Sequence, residues 1–139
     1  MAAKVHLLSV QEVAAKIRWL TVREAHAFHD LALTEHGGMP GLRDAGLLES
    51  TVFRPRTAYE YGVTDLAELA AKLAFGLVSN HAFFDGNKRT ALIASLTFLR
   101  LNGKKFIGTE SEIAALLIDT ANREISEEEL ILWFKQKTE

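Results

Sequence analysis

Cysteine is absent from this 139-residue chain, so a disulfide framework and a thiolate zinc site are both excluded. The chain has no run of lysine or arginine, and its formal net charge of −2 argues against direct nucleic-acid binding. No apolar run, including the one from Thr90 to Leu99, approaches the roughly 20 residues of a membrane-spanning helix. A glutamate interrupts the N-terminal stretch before a signal-like apolar segment develops. We therefore expect a cytoplasmic protein without a membrane anchor.

The composition is that of an ordinary globular protein, with 48% hydrophobic and 24% charged residues. A chain of this length can bury a core without disulfides or metal and usually forms one domain. We find no internal repeat, low-complexity tract or linker. We therefore expect a single domain over residues 1–139.

Capping motifs predict several helix starts, because a Ser or Thr followed three positions later by Glu can satisfy two first-turn N–H groups. Three such pairs occur: Ser9 with Glu12, Thr21 with Glu24, and Ser126 with Glu129. The helix that starts at Thr21 is expected to end at the glycine pair 37–38. A short helix should begin after the N-cap Asp44 and stop at Pro55, leaving a loop over RPRTAYEYG.

Apolar spacing predicts the rest of the helices. Leu66, Leu69, Leu73 and Leu77 recur with helical spacing, and the following stretch ALIASLTFL is apolar nearly all round. A helix that is apolar nearly all round belongs at the centre of a bundle. KKFIG is a candidate short strand, and SEIAALLIDTANR and SEEELILWFKQK are amphipathic helices. The fold class is therefore all-α, with about six or seven helices.

The stretch HAFFDGNKRTAL places a base, an acid and two adjacent cations at the start of this central helix. A helix N-terminus is itself a natural anion site, because its first N–H groups are unpaired and carry partial positive charge. Lys88 and Arg89 add two charges that the helix dipole disfavours there. The arrangement makes sense if an anion such as phosphate binds, with Gly86 allowing close approach of the backbone.

Two neighbouring side chains fit phosphoryl or nucleotidyl transfer. Asp85 would be repelled by a phosphate unless a Mg²⁺ ion lay between them. His81 supplies an imidazole, which can take a proton from an attacking hydroxyl. Each residue also has an ordinary structural interpretation: Asp85 or Asn87 as a helix cap, the cations as a solvated face, and the histidine as a hydrogen-bonded loop residue.

Four other side chains are given simpler roles. At least one of Phe83 and Phe84 should anchor the loop in the core. His26 and His29 have no companion carboxylates at metal-ligand spacing, so we interpret them as surface or interface residues.

HAFFDGNKRTAL closely resembles the signature HxFx(D/E)GN(G/K)R of the Fic/Doc superfamily, in its Doc ("death on curing") branch. The stretches AFHDLALTEHGGMPGLRDAGLLESTVFRP and TFLRLNG also resemble Doc proteins, in the same order and spacing. The resemblance covers roughly Leu20 to the C-terminus, and residues 1–20 lie outside it.

This resemblance implies a compact single-domain Fido fold in which the motif loop leads into a central buried helix. It implies that His81 activates a hydroxyl, that Asp85 holds Mg²⁺, and that an ATP phosphate site is lined by Gly86, Asn87, Lys88 and Arg89. Doc proteins are toxins of toxin–antitoxin pairs, similar to kinases that phosphorylate a threonine of elongation factor Tu and arrest translation. Their antitoxin lays a C-terminal segment into a groove beside the active site.

Two positions depart from the Fic pattern, which usually has glycine where this chain has Lys88 and arginine where it has Leu92. A lysine side chain fills space beside the phosphates, and a leucine cannot grip a triphosphate. Both changes favour transfer of the γ-phosphate. Gly86 is the Fic-like residue at its position, so AMP transfer to a protein hydroxyl is the alternative. A catalytically inactive Fido domain that only binds partners is a third hypothesis, disfavoured by the intact motif.

Overall fold

The computed structural model describes residues 16–139, in which six α-helices are joined by short loops. They are α1 (Val22–His36), α2 (Ala45–Glu60), α3 (Leu66–Ser79), α4 (Asn87–Leu101), α5 (Glu110–Ala121) and α6 (Glu127–Gln136). Within this range β pairing is limited to two isolated bridges, between Leu42 and Phe83 and between Phe106 and Thr138. The all-α prediction is confirmed, and the candidate strand KKFIG is reduced to the bridge at Phe106.

Side chains cap five of these six helices. The predicted capping boxes Thr21–Glu24 and Ser126–Glu129 are both present, and Asp44 caps α2. Asp65 caps α3, and α5 begins with a further capping box, Thr109–Glu112, which the sequence analysis missed. The predicted pair Ser9–Glu12 lies outside the described residues.

Helix α2 does not stop at Pro55 but continues to Glu60, so the predicted stop and the loop over RPRTAYEYG are wrong. An interior proline removes one helical hydrogen bond and strains the preceding turn. Burial compensates here, because Pro55 and Tyr59 both lie in the core. The Tyr59 ring meets Trp19 edge-on, with centroids 5.8 Å apart, and only a continued helix brings it there.

The core lies between α3 and α4. The predicted stripe on α3 is buried at Leu69, Leu73 and Leu77. Helix α3 packs against α2, α4, α5 and α6, whereas α4 packs against α1, α3 and α5. The two helices therefore share the central position that the sequence analysis assigned to α4 alone. Of the helices in residues 16–139, none is long and apolar enough to cross a membrane.

Candidate active site

The loop between α3 and α4 is fixed by the segment that precedes α2. The N–H groups of Arg43 and Asp44 both donate to the carbonyl of Ala82, at 2.7 and 3.0 Å. The guanidinium of Arg43 donates to the carbonyls of His81 (2.6 Å) and Asn80 (3.0 Å). Charge-assisted bonds of this kind are among the stronger ones, so the backbone of the loop is held in one conformation.

Asn87 closes the loop from the inside. Its Oδ1 accepts from the N–H of Phe83 at 3.1 Å, and its Nδ2 donates to the carbonyl of Phe83 at 2.9 Å. The Phe83 ring is 1% exposed whereas Phe84 is exposed, so the prediction that at least one of them anchors the loop is confirmed. The carboxamide of Asn87 is thus engaged with the loop, while its backbone N–H remains at the start of α4.

His29 lies beneath this loop, and its assignment as a surface or interface residue is wrong. The ring is buried and stacks on Phe83, with centroids 3.8 Å apart and planes within 6°. Its Nε2 lies 2.8 Å from the carbonyl oxygen of Asp85 and donates to it, so this nitrogen carries a proton. The sequence could not indicate this contact, because the partners are 56 residues apart.

Asp85 is exposed and oriented by two backbone N–H groups. Its Oδ2 accepts from Met39 at 3.1 Å and its Oδ1 from Gly86 at 3.0 Å. These bonds, with smaller contributions from Lys88 and His29, lower the pKa of the Asp85 carboxyl. A Cβ at Gly38 would lie 3.0 Å from Oδ2, so a glycine there permits the contact. The carboxylate is therefore ionised, positioned and open to solvent.

Helix α4 begins without a side-chain cap. Its N-cap is Gly86, in the left-handed conformation with φ of 77°, and no side chain accepts from its first turn. Neither Asp85 nor Asn87 caps this helix, so the interpretation of either residue as its cap is wrong. The N–H groups of Asn87, Lys88 and Arg89 are left for an external acceptor, as in anion-binding helix N-termini.

The two cations of the first turn differ in their surroundings. Lys88 is exposed and forms no ion pair with the described residues. Arg89 pairs with Glu110, at the start of α5, and its Nη2 lies 3.6 Å from Glu35 near the end of α1. Its Nε is buried and has no hydrogen-bond partner within residues 16–139. Lys88 is available to a ligand at once, whereas Arg89 must first exchange an acidic partner.

His81 stands at the edge of the site. Its backbone has the left-handed φ of 49°, which is uncommon for a residue other than glycine. The side chain is exposed, and its imidazole forms no hydrogen bond with the described residues. Both ring nitrogens are therefore accessible to a substrate hydroxyl.

All six predicted site residues line one cavity of about 560 Å³, a size suited to a mononucleotide. They are His81, Asp85, Gly86, Asn87, Lys88 and Arg89. Leu92 forms part of the wall and is buried. Sequence reasoning missed the facing wall, which α5 supplies through Ala114, Ile118 and Ala121, because nothing in an amphipathic helix marks the side it presents to a ligand.

Metal binding would depend on Asp85. The described residues contain no group of three or more His, Asp or Glu side chains that could hold an ion by themselves. Mg²⁺ is commonly bound by one or two carboxylates together with substrate phosphates and water. The exposed, ionised Asp85 beside an anion site fits that pattern.

Residues 19–99 match the model of the Fic/DOC family. The chain belongs to this family. It is 39% identical over 112 residues to Protein kinase doc of Escherichia phage P1, covering 79% of this chain and 87% of that protein. It is 50% identical over 70 residues to Toxin Doc of Mycolicibacterium smegmatis, covering 48% of this chain and 53% of that protein. The family resemblance found in the sequence is confirmed.

Proposed function

We propose that this protein is the toxin of a toxin–antitoxin pair, which transfers the γ-phosphate of ATP to a Ser or Thr hydroxyl of elongation factor Tu and so arrests translation. The observation that carries the proposal is the uncapped, basic N-terminus of α4, which opens into the cavity beside His81 and Asp85. Two relatives are named as a protein kinase and a toxin, and these names support the two halves of the proposal.

The phosphates would bind at the start of α4. The free N–H groups of residues 87–89 supply directed donors, and the left-handed Gly86 leaves the approach open. Lys88 adds a charge without first breaking an ion pair. Arg89 can grip two phosphate oxygens once its contact with Glu110 is released.

His81 would act as the general base. Its imidazole takes the proton of the acceptor hydroxyl while the hydroxyl oxygen forms a bond to the γ-phosphorus. The bond between that phosphorus and the β,γ-bridging oxygen breaks, and ADP leaves with the electron pair. The contact between Arg43 and the carbonyl of His81 holds the base in place.

Mg²⁺ is the ion we expect beside Asp85, where it would offset the charge of the phosphates. The residue's own contribution is a carboxylate that stays ionised, because the N–H groups of Met39 and Gly86 stabilise the charged form.

The γ-phosphate is favoured over the α-phosphate by two side chains. The exposed Lys88 occupies space beside the phosphate site, and the buried Leu92 offers no second cation along the cavity wall. AMP transfer is the second candidate, supported by Gly86. The antitoxin is expected to lay a C-terminal segment into a groove beside the site.

The test is incubation of the purified protein with elongation factor Tu and ATP labelled at either the α- or the γ-phosphate. The His81→Asn protein is the control for contaminating kinases. We expect label on elongation factor Tu from γ-labelled ATP only. Transfer of the α-label by the unmutated protein would replace the kinase with a nucleotidyltransferase.

A further inference from the structure

A second cavity, of about 420 Å³, lies on another side of His81, between the end of α3 and the connection from α5 to α6. Its lining includes Phe75, Ser79, His81, Arg123 and Glu127. His81 is the titratable side chain that this cavity shares with the phosphate cavity. The proposed nucleotide site leaves this second space unused.

We propose that the second cavity receives the polypeptide segment carrying the acceptor hydroxyl, and that Arg123 pairs with an acidic side chain of that segment. The inference rests on the proposed function. A general base must contact the acceptor hydroxyl on one side while the hydroxyl faces the phosphorus on the other. Since His81 borders both cavities and phosphate is assigned to the first, the acceptor enters through the second.

The charges of the lining favour an acidic segment. Arg123 is exposed and forms no ion pair within the described part of the chain. Glu127 is already committed to Arg54 and, at 3.5 Å, to Lys72. Burial works to raise the pKa of Glu127, but these two cations outweigh it, so the carboxylate stays charged and paired. The unpaired charge in the cavity is therefore positive, and its complement is Asp or Glu.

The backbone explains how His81 and Arg123 come to the same opening. In residues 16–139, two residues other than glycine have positive φ, His81 at 49° and Arg123 at 63°. Both line the second cavity. Each follows directly on a helix C-cap, Asn80 of α3 and Asn122 of α5, where a left-handed residue commonly ends a helix. The ends of α3 and α5 therefore place the base and the free cation at one opening.

The kinetic test compares Arg123→Glu with Arg123→Lys, using purified elongation factor Tu and γ-labelled ATP. We expect Arg123→Glu to raise the KM for elongation factor Tu about tenfold or more, the range of a lost charge-assisted hydrogen bond, and to leave the KM for ATP unchanged. Arg123→Lys should keep most of the affinity. Arg100→Glu, in the last turn of α4, is the matched control and should change neither constant.

A crosslinking test uses the absence of cysteine, since any introduced thiol is unique. A benzophenone attached to Ser79→Cys should capture elongation factor Tu. The same group on Thr64→Cys should not, because α3 separates the two positions by roughly 20 Å at 1.5 Å per residue. Capture from both positions, or from neither, would overturn the proposal.

The two tests separate this proposal from the proposed function. An unchanged KM for elongation factor Tu in Arg123→Glu, with an active wild type, overturns the acceptor cavity and leaves the kinase intact. Arg123→Glu could also keep its KM for elongation factor Tu and yet escape neutralisation by a co-expressed antitoxin. That result would assign the cavity to the antitoxin and would also overturn the proposal. If the wild type labels nothing, the proposed function fails, and the crosslinking test alone decides whether the second cavity is a docking site. Capture of elongation factor Tu from position 79 supports the docking site. No capture from that position refutes it.

Discussion

At the start of α6, Ser126 accepts from the N–H of Glu129 at 3.1 Å, and Glu129 accepts in return from the N–H of Ser126. Three glutamates occupy that first turn, where the helix dipole favours them. At the start of α4 no side chain accepts from the first turn, and Lys88 and Arg89 place positive charge where it is disfavoured. Helix α6 caps its first turn with its own side chains, whereas α4 leaves its first turn uncapped, as an anion site would require.

The difference has a cost in stability. A glycine N-cap in place of Ser, Thr, Asp or Asn typically costs about a few tenths of a kcal/mol, and each charge of the wrong sign in a first turn about 0.3–1 kcal/mol. Contacts of Lys88 offset neither of these free-energy costs, because this side chain is exposed and forms no ion pair among the described residues. A bound phosphate would supply both the missing acceptor and the missing negative charge. Substitutions at α4 should therefore affect ligand binding, and substitutions at the capped helices should affect stability.

The largest expected effect is on catalysis at His81. Asparagine removes the imidazole but tolerates the left-handed backbone at this position, so the fold should be retained. His81→Asn should lower phosphate transfer by about 10² to 10⁴, the usual contribution of general-base catalysis. Transfer rates with γ-labelled ATP and growth arrest on expression measure it. A folded variant that arrests growth at the wild-type dose would exclude His81 from the mechanism.

A smaller effect is expected for Lys88→Ala. Loss of a charge-assisted hydrogen bond of about 1.5–3 kcal/mol should weaken ATP binding roughly 10- to 150-fold. Removal of a charge opposed by the helix dipole should also raise the free energy of unfolding by about 0.3–1 kcal/mol. Calorimetric titration and urea unfolding measure the two quantities.

The matched control for Lys88 is Lys135→Ala, in the last turn of α6. Lys135 lies where the dipole favours a cation, and its Nζ is 3.2 Å from Glu68. This variant should keep the wild-type affinity for ATP, and its free energy of unfolding should fall slightly. If both lysines behave alike, the start of α4 is not a special anion site.

Asp85→Asn tests the proposed metal ligand. The amide keeps an oxygen that can accept a backbone N–H but loses the charge that Mg²⁺ requires. We expect ATP affinity measured with Mg²⁺ to fall, and affinity measured with a chelator to change little. Equal losses in both conditions would make Asp85 a purely structural loop residue.

The smallest effect is expected at a capped helix. Asp65 caps α3 through a 2.9 Å bond from the N–H of Glu68, at the end of α3 distant from the site. Asp65→Ala should lower the free energy of unfolding by about 1 kcal/mol, or Tm by roughly 3–5 °C, with ATP affinity unchanged. A stable Asp65→Ala protein with weakened ATP binding would contradict the division between capped and open helix starts.

The parts of the fold that depend on neighbouring residues could be predicted from the sequence. Capping boxes and apolar stripes act over three to four positions, which is why the starts at Thr21, Asp44 and Ser126 were found. The Thr109–Glu112 box carries the same signal and was overlooked. The helix stop predicted at Pro55 was wrong because the apolar contacts that keep α2 helical beyond this residue involve Trp19, which is far away in the chain.

In the candidate site, too, features set by neighbouring residues could be predicted and features set by distant residues could not. The motif residues were predicted because one short stretch contains all six of them. The contacts that hold these residues in place could not be predicted from the sequence. They come from segments 38 to 56 residues away in the chain, at Arg43, Gly38 and His29. The pairing of Arg89 with Glu110 also depends on how α5 packs beside α4. Sequence identified the chemical groups, and tertiary packing set their orientation and availability.

The most direct test of the open helix start is the amide spectrum of ¹⁵N-labelled His81→Asn protein during titration with ATP. We predict that the amide signals of Asn87, Lys88 and Arg89 shift with a common dissociation constant. The first-turn amides of α6, at Glu127 and Glu128, should not move. Unchanged signals at residues 87–89 under conditions where ATP binds would contradict the assignment of the α4 N-terminus as the phosphate site.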